Sequence, residues 1–582
     1  MNRKYINLVI VLIGIIFFSC EEDYLDRPPK DRLDAETFFT TAKDLEVYIN
    51  GFYDNMFPAP HSYESLDDAD DNIVPLIIRD RVKGTRIAPV PRGSEGWSWS
   101  ELRSINFFLQ NYHRCEDVQA KLKYGGIARF HRAFFYYKKV KTFGDVPWYG
   151  KVLEAGDEDL YKARDPRKMV MDSVLADINY AVENIPAEVK LNTITKYTAL
   201  ALKARICLFE GTFRKYHNLG DHQKFLNEAV SAAEQLINSN AYKLFTTGGA
   251  NVAYRELFAR NSQTTTETIL ARDYDNEFIR HSLGYMMTAP TAGAWGLPKD
   301  LINSYLMKDG SRFTDIPGYD KMGFYDEMQN RDPRLTQTTA GPDFAAYGEA
   351  TREPVNLSGT TTGYRVIKAL PERKQWASLS SYNDIIYFRY AETLLIYAEA
   401  KAELGTLTQA DLDKSINKLR DRVAMPHLKL TEANASPDPY QEAMYPNVDK
   451  GANKGVILEI RRERRIELFN EGLRWDDLMR WKEGKKLEKP MVGIYFSGLG
   501  SFDFNNDGKT DVFLHNKSAS GAPAGTSTII DIRQRPLTDG LSGNLNPFRE
   551  KVTFDESKDY YYPIPIEDIN LNGNLVQNPG WN

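Results

Sequence analysis

The spacing of apolar residues along the chain predicts a mainly α-helical protein. In residues 36–57, Phe38, Leu45, Ile49 and Phe52 fall on one helical stripe, which is the pattern of a helix with one buried face. The same periodicity predicts helices at 100–115, 127–142, 166–184, 195–213, 222–239, 298–307, 388–405, 409–425 and 455–482. We expect Asp221 to cap the helix at 222–239 and Pro298 to open the one at 298–307.

The helices at 388–405 and 409–425 are joined by only a few residues, so they form an antiparallel hairpin. Small residues such as Ala391, Ala398 and Ala402 allow the two backbones to approach closely. Two interpretations fit this pair, a tetratricopeptide-like unit and an ordinary helical hairpin, because the chain shows no strict 34-residue period.

Four long stretches lack any apolar period, at 58–98, 240–297, 310–380 and 490–560. They are much longer than connections between helices require, and long irregular loops are usually functional. The sequence thus predicts loops that a rigid helical scaffold positions on one face of the molecule.

Arginine and glutamate alternate through residues 455–482, which Gly472 divides into two helices. Glu459 and Arg462 can pair at i,i+3, and Asp476 and Arg480 at i,i+4. A dense arginine run can also bind phosphate, but the interleaved acids favour an internal network of salt bridges.

The N-terminus has the pattern of an export signal. Arg3 and Lys4 precede an apolar run, Leu8–Phe18, that is shorter than the ~20 residues a spanning helix needs. A small residue and a cysteine, Ser19 and Cys20, follow the run, and this pattern resembles a bacterial lipobox. We therefore expect residues 1–19 to be a lipoprotein signal peptide and Cys20 to carry acyl chains. The alternative is simple cleavage to a protein without a lipid anchor.

Composition narrows the classes of function. The chain has 582 residues, of which 42% are hydrophobic, and a net charge of −6. Loss of residues 1–19 removes Arg3 and Lys4, so that −6 becomes −8. A mildly acidic protein lacks the basic stripe of a nucleic-acid binder. Cys115 and Cys207 are either buried thiols or one disulfide.

Several stretches in this order resemble the SusD/RagB family of lipid-anchored outer-membrane nutrient-binding proteins. They are C-x-x-D-Y-L-D at 20–26, ARFHRAFFYYKKVKTFGDVP at 128–147, RDPR at 331–334, FRYAETLLIYAEAKAELG at 388–405, ERRIELFNEGLRWDDLMRW at 463–481, YYPIP at 561–565 and QNPGW at 577–581. The resemblance implies a single unit over 20–582. A helical part would occupy 20–240, and a SusD/RagB part with loop insertions, including 490–560, would occupy 241–582. The helices would form a tetratricopeptide-like scaffold with loops on the opposite side.

The family also implies a function. Such a protein would sit on the outer membrane, facing the cell exterior, and pass captured glycan to a SusC-like TonB-dependent transporter without chemistry on the ligand. Two alternatives stay open: a peptide-capturing member of the family and a glycoside hydrolase that uses two loop carboxylates.

The chain lacks H-E-x-x-H, C-x-x-C and G-x-S-x-G, and Asp503 replaces the first glycine that a phosphate-binding loop would need.

A sugar site needs aromatic planes ringed by polar groups. Trp295, among glycines, is the first candidate platform, and Tyr274, Phe278, Arg280 and Tyr285 lie in the same loop region. For each of them, packing in the interior is the alternative.

Two further stretches carry candidate ligand-binding residues. In HSYESLDDADDN, residues 61–72, Tyr63 and Asp67 could bind hydroxyl groups, or the stretch could be a solvated acidic loop. Of Trp97 and Trp99, one could face outward while the other packs, and we take Trp97 as a candidate.

The stretch FDFNNDGKTDVFL predicts a structural calcium site, although the protein needs no cofactor for binding. Its donors would be Asp503, Asn505, Asp507, the main-chain carbonyl of Lys509, and Asp511. Leu514 stands where an EF-hand has glutamate, so a complete EF-hand is excluded. A metal-free turn stabilised by the same side chains is the alternative.

Overall fold

The computed structural model describes residues 35–57 and 67–581. The predicted signal peptide, Cys20 and Tyr63 lie outside the described residues. Within them the protein is mainly helical, as the periodicity predicts.

The N-terminal half is a stack of long helices. The bounds are α1 Ala35–Phe38, α2 Ala42–Asn50, α3 Tyr53–Met56, α4 Asp80–Lys83, α5 Ser100–Asn111, α6 Val118–Phe143, α7 Arg167–Asn184, α8 Lys196–Tyr216 and α9 His222–Asn238. Helix α6 packs on α7, and α8 packs on α9. Asp117 caps α6 by accepting from the backbone N–H groups of Gln119 and Ala120, and Thr195 forms a capping box with Thr198 at α8.

Asp221 stands at the N-cap of α9, but the prediction that its side chain caps the helix is wrong. Its backbone is left-handed, with φ 58°, and the side chain makes no capping bond. Its carboxylate instead lies 2.9 Å from the ammonium of Lys168.

The C-terminal half mixes short helices with loops. Its helices are α10 Ala253–Ala259, α11 Leu283–Thr288, α12 Lys299–Ser304, α13 Phe324–Glu327, α14 Leu335–Thr338, α15 Tyr390–Glu403, α16 Gln409–Asp413, α17 Ile416–Arg422, α18 Leu430–Ala435, α19 Pro439–Met444, α20 Lys454–Glu467, α21 Arg474–Arg480 and α22 Ile566–Leu571. Pro298 directly precedes α12, as expected. The helix predicted at 409–425 is divided at Ser415, whose φ of −131° and ψ of −95° are not helical.

Three small sheets interrupt the helices. Strands β1 Thr268–Arg272 and β2 Ile385–Arg389 pair antiparallel, and β2 runs directly into α15. Strands β3 Tyr495–Phe496 and β7 Gly543–Asn544 pair antiparallel. Strand β5 Val512–His515 lies between β4 Gly500–Phe502, antiparallel, and β6 Thr528–Asp531, parallel.

Helix α15 joins the two halves because it packs on both α9 and α20. One apolar core runs through the helical stack, and a second lies under the loops, around Trp295, Tyr364 and Phe496. Cys115 and Cys207 are buried free thiols, so the disulfide alternative is wrong. In the described part of the chain, we find no helix that combines the length and apolar character needed to cross a bilayer.

The alternating charges of α20 and α21 form a buried network of salt bridges, as predicted. The carboxylate of Glu467 lies 2.6 Å from Arg422, 2.7 Å from Arg389 and 3.2 Å from Arg334. Glu459 and Arg462 pair at 3.0 Å.

The predicted pair between Asp476 and Arg480 does not form. Asp476 contacts Lys141 at 2.6 Å, while Arg480 donates to Glu399 at 2.8 Å. Asp476 and Glu399 each pair with a cation from another helix. These tertiary pairs replace the predicted i,i+4 contact between Asp476 and Arg480.

Candidate functional site

Trp295 is completely buried, so the prediction that it forms a sugar platform is wrong. The neighbouring Gly296 bridges the backbones of Val74 and Arg365. A Cβ at Gly296 would lie 2.2 Å from Oγ1 of Thr362. The glycines beside the tryptophan therefore serve close backbone packing over the ring and do not leave its face open.

Three other predicted ligand residues are buried. For Tyr274 and Asp67 the prediction is wrong for the same tertiary reason, whereas Trp97 lies in the wall of the cleft described below. Tyr274 is 4% exposed and packs edge-on to His281 at 4.6 Å. Trp97 is 2% exposed and lies 4.8 Å from Phe143. Asp67 is inaccessible to solvent, and its carboxylate accepts the backbone N–H groups of residues 470 and 472 at 2.6 and 2.8 Å.

Phe278 does lie at the surface, with 88% of the side chain exposed. It sits at the tip of a turn in which Asp275 Oδ1 accepts the backbone N–H groups of Glu277 and Phe278, both at 2.6 Å. Arg280 is exposed and donates to the carbonyl of Asn276 across the same turn.

Tyr285 is half-buried on α11, away from the tip of that turn in sequence. Of the aromatic candidates, Phe278 alone combines a described position with a freely accessible ring.

An apolar cleft with converging polar groups lies elsewhere, between α5, the 147–161 segment and α22. We call it the Trp99 cleft, and its volume is about 480 Å³. Its aromatic wall is formed by Trp97, Trp99, Tyr149 and Tyr161, its apolar wall by Leu102, Pro147, Val152, Leu153, Leu160, Leu571 and Leu575, and its polar rim by Arg92, Ser100, Arg103, Asn106, Lys151, Asp568 and Asn572.

The aromatic wall is held by ring contacts. Trp99 stands at the start of α5 and meets Trp97 and Tyr149 edge-on, at centroid distances of 5.4 and 5.5 Å. Trp99 is half-buried, whereas Tyr161 is 51% exposed at the mouth of the cleft. One partly covered ring and one accessible ring therefore face the same space.

Side-chain amides fix the segments that line the cleft. Asn106 donates to the carbonyls of Tyr149 and Lys151, at 2.9 and 3.1 Å. Asn572 donates to the carbonyl of Lys162 at 3.0 Å, and Asn574 to that of Tyr161 at 2.7 Å. These bonds hold the 147–161 segment between α5 and α22, so the cleft is pre-formed.

The rim carries both signs of charge. Arg92 lies 3.8 Å from Asp568, and Lys151 lies 3.4 Å from Asp159. Burial raises the pKa of Tyr149 to about 12, so its hydroxyl is neutral and can donate at physiological pH. Neutral donors, paired ions and aromatic faces around an apolar wall suit a ligand rich in hydroxyl groups.

The sequence analysis did not select Tyr149 or Tyr161. The signal that could have found Tyr149 is the run P-W-Y-G at 147–150, where two aromatic residues follow a helix end. Tyr161 has no such signal, because its exposure depends on where α22 packs.

The 503–511 loop folds as a turn network around its acidic side chains. Asp503 accepts from the backbone of Gly508 at 2.7 Å, and Asn505 from that of Asp507 at 3.1 Å. Asp511 is buried and accepts from the backbone of Phe504 at 2.9 Å. In residues 35–57 and 67–581, no three His, Cys, Asp or Glu side chains are already arranged to hold a metal. The calcium site therefore stays a prediction.

Comparison with known proteins gives a consistent result. Residues 257–581 match the sequence model of the SusD family. The chain is similar to SusD-like protein P38 of Formosa agariphila, at 26% identity over 84% of this chain and 93% of the relative. It is also similar to SusD-like protein P2 of the same organism, at 25% identity over 87% of this chain and 95% of the relative.

Solved structures share the fold. A SusD-like carbohydrate-binding protein from Bacteroides fragilis superposes with a TM-score of 0.69 at 21% identity, covering 93% of this chain and all of that one. A laminarin-binding SusD-like protein superposes with a TM-score of 0.55 at 17% identity, covering 93% of this chain and all of that one.

Proposed function

The chain belongs to the SusD family, and on that premise we propose that it is an outer-membrane lipoprotein that captures oligosaccharide and passes it to a SusC-like TonB-dependent transporter. The carbohydrate-binding relatives support the ligand class. The lipid anchor at Cys20 and the transporter partner rest on the family and on the N-terminal sequence.

The observation that carries the ligand class in this chain is the Trp99 cleft. A sugar ring has an apolar face of C–H groups and an equator of hydroxyls. Tyr161 and the partly covered ring of Trp99 offer flat apolar area, while Arg103 and Asp568 stand at the rim to bind hydroxyls. The volume of about 480 Å³ is in the range of small-molecule sites, so the cleft suits a short stretch of glycan.

The same cleft favours binding over hydrolysis. Glycoside hydrolases use two carboxyl groups on either side of the scissile bond. Among the described residues that line the Trp99 cleft, Asp568 supplies the one carboxylate, and it faces Arg92. A second acid for general acid–base chemistry is not in place there.

Calorimetric titration with a panel of neutral and acidic oligosaccharides tests the proposal. Tyr161→Ala removes an exposed ring without disturbing the core, and we expect it to weaken binding by about five- to tenfold, or roughly 1 kcal/mol. Phe278→Ala is the matched aromatic control, because its ring is exposed on a different segment. We expect it to bind like the wild type at the cleft.

If Phe278→Ala weakens binding while Tyr161→Ala does not, the platform is the 275–280 turn and the Trp99 cleft is the wrong site. A protein that binds none of the glycans contradicts the function itself. New reducing ends after incubation with polysaccharide would show an enzyme instead.

A further inference from the structure

A second cleft, of about 620 Å³, lies in the loop-rich half between α10, α14 and the 341–349 turn. Arg255 of α10 lines it, together with Gln329, Gln337, Phe344 and Tyr347. This cleft has no aromatic wall like that of the Trp99 cleft. Its distinctive feature is the state of the Arg255 guanidinium.

One edge of that guanidinium has no protein partner. Nη1 donates to the carbonyl of Ala345 at 3.0 Å. Nε and Nη2 are buried and donate to no atom of the described chain. These two N–H groups point the same way and form the fork that binds a carboxylate side-on.

In four other arginines of the described chain the same fork is filled, and the Arg461 fork, which also lacks hydrogen bonds there, has Glu403 at 4.0 Å. Nε and Nη2 hold a carboxylate at 2.6 to 2.8 Å in Arg132–Asp177, Arg205–Glu392, Arg389–Glu471 and Arg474–Asp71. A buried donor without a partner is costly, and more so when it is charged. An acceptor of the kind that the other forks bind is therefore missing from Arg255.

Three of the four carboxylates that line the cleft already face other cations: Asp343 lies 2.7 Å from Arg352, Glu349 2.8 Å from Arg373, and Glu372 2.6 Å from Lys374. The guanidinium groups of Arg255 and Arg365 both lie over the ring of Phe344, at 5.2 and 4.5 Å from its centroid. Glu353 lies 3.8 Å from Arg365 and 2.8 Å from a third cation, Arg373. Burial, with Arg365 close by, lowers the pKa of Arg255 to about 10, so the side chain remains charged at neutral pH.

We propose that the Arg255 fork binds an oxyanion, the carboxylate or sulfate group of an acidic sugar. The oxyanion itself follows from the contacts of Arg255, and the sugar rests on the function proposed above. The ligand would then be a glycan with charged residues, gripped at a point separate from the Trp99 cleft.

The hairpin 344–353 contacts the guanidinium of Arg255, because Ala345 accepts from Nη1. The hairpin is closed by a bridge between Ala345 and Arg352 and turns at Gly348, whose φ is 80°. Residues 348–352 are exposed. On this proposal, a shift of the exposed turn, with loss of the bond from Ala345, gives a ligand access to Arg255.

Thermal unfolding in sodium sulfate and in sodium chloride of equal ionic strength tests the site. We expect saturating sulfate to raise the Tm of the wild type by at least about 2 °C over chloride. Arg255→Gln should lose that increment. Arg255→Lys keeps the charge without the fork and should lose most of it. Arg533→Gln is the control, because this exposed arginine already pairs with Asp531, and it should respond like the wild type.

Sodium glucuronate against glucose separates a sugar from a free inorganic anion. A glucuronate shift that depends on Arg255 supports the acidic-sugar proposal, and a shift with sulfate alone overturns its sugar part. Equal sulfate-induced shifts of the Tm in wild type and Arg255→Gln overturn the anion site. In that case a buried water accepts from the two N–H groups of the fork. Failure of every glycan in calorimetry contradicts the proposed function, yet it leaves an Arg255-dependent sulfate shift standing.

Discussion

Asp71 and Arg474 meet fork to fork in the interior, with Nε donating to Oδ1 at 2.6 Å and Nη2 to Oδ2 at 2.8 Å. The two side chains are 4% and 2% exposed. Arg465 and Lys486 contact the same carboxylate. These contacts hold the buried acidic segment 67–72 against α20 and α21. Both sequence interpretations of this segment, a ligand loop and a solvated acidic loop, are wrong.

Asp71→Asn should destabilise the protein strongly. Arg474 would lose the carboxylate that it pairs with, while Arg465 and Lys486 would keep only Asp300. Breaking a buried pair from one side typically costs about 3–5 kcal/mol. Urea denaturation measures the loss. Lys43→Gln is the control, because the exposed Lys43–Glu46 pair should contribute less than about 1 kcal/mol. Equal, small losses in both variants would show that the Asp71 contacts are not formed in solution.

Asp70 predicts an unusual pH dependence. Burial and the neighbouring Asp67 and Asp71 raise its pKa well above 3.8, and its Oδ2 has no partner in the described chain. Arg81 is the cation that opposes this shift. Burial likewise raises the pKa of Asp67 to about 6. Because the carboxyl pKa is higher in the folded protein, the unfolded chain releases its proton at a lower pH. The free energy of unfolding therefore falls as pH rises above about 4.

Asp70→Asn should therefore be more stable than the wild type at pH 8 and similar to it at pH 4.5. Urea denaturation across this range, with Asp343→Asn as an exposed control, gives the comparison. Parallel stability curves for wild type and Asp70→Asn would contradict a buried, proton-binding Asp70.

Local sequence is enough for the long helices with a clear apolar period. The period predicts 195–213 and 222–239, and the structure has α8 and α9 at nearly these bounds. The pairing of β1 with β2 joins residues more than 100 positions apart, and no local pattern encodes it. Phe388 of β2 lies opposite Leu270 of β1. The first residues of the helix predicted at 388–405 therefore belong to β2.

The ligand site is less predictable because exposure is a tertiary property. Glycines beside Trp295 indicate an open loop in sequence, but in the structure Gly293 and Gly296 allow backbone segments to cover the ring. Phe278, which is a candidate because it lies in the same loop region, is exposed. The difference lies in the turn at Asp275, which directs Phe278 away from the second core. The Trp99 cleft needs α22 from the far end of the chain, so only the folded molecule assembles it.

The 503–511 loop gives a test for calcium. Carboxylate and carbonyl oxygens at alternate positions, with Gly508 at φ 84°, suit a calcium loop once Asp503 and Asp507 exchange backbone bonds for the ion. We expect millimolar calcium to raise the Tm relative to chelator, and Asp507→Asn to remove that increment. Asp539→Asn, in another turn of the same region, is the control. A melting temperature that calcium and chelator leave unchanged supports the metal-free turn.

Cys20 decides whether the protein is anchored. A diacylated cysteine partitions into a bilayer by about 0.8 kcal/mol per buried CH₂, and two chains suffice for stable attachment. In cells that process lipoproteins, we expect the wild type in the membrane fraction and Cys20→Ser in the soluble fraction. Cys115→Ala is the control, because that thiol is buried and cannot carry a lipid anchor. Mass spectrometry of the wild type should show acyl chains on a mature protein that begins at residue 20. An unmodified Cys20 in a released protein would favour simple cleavage and remove the anchor from the proposed function.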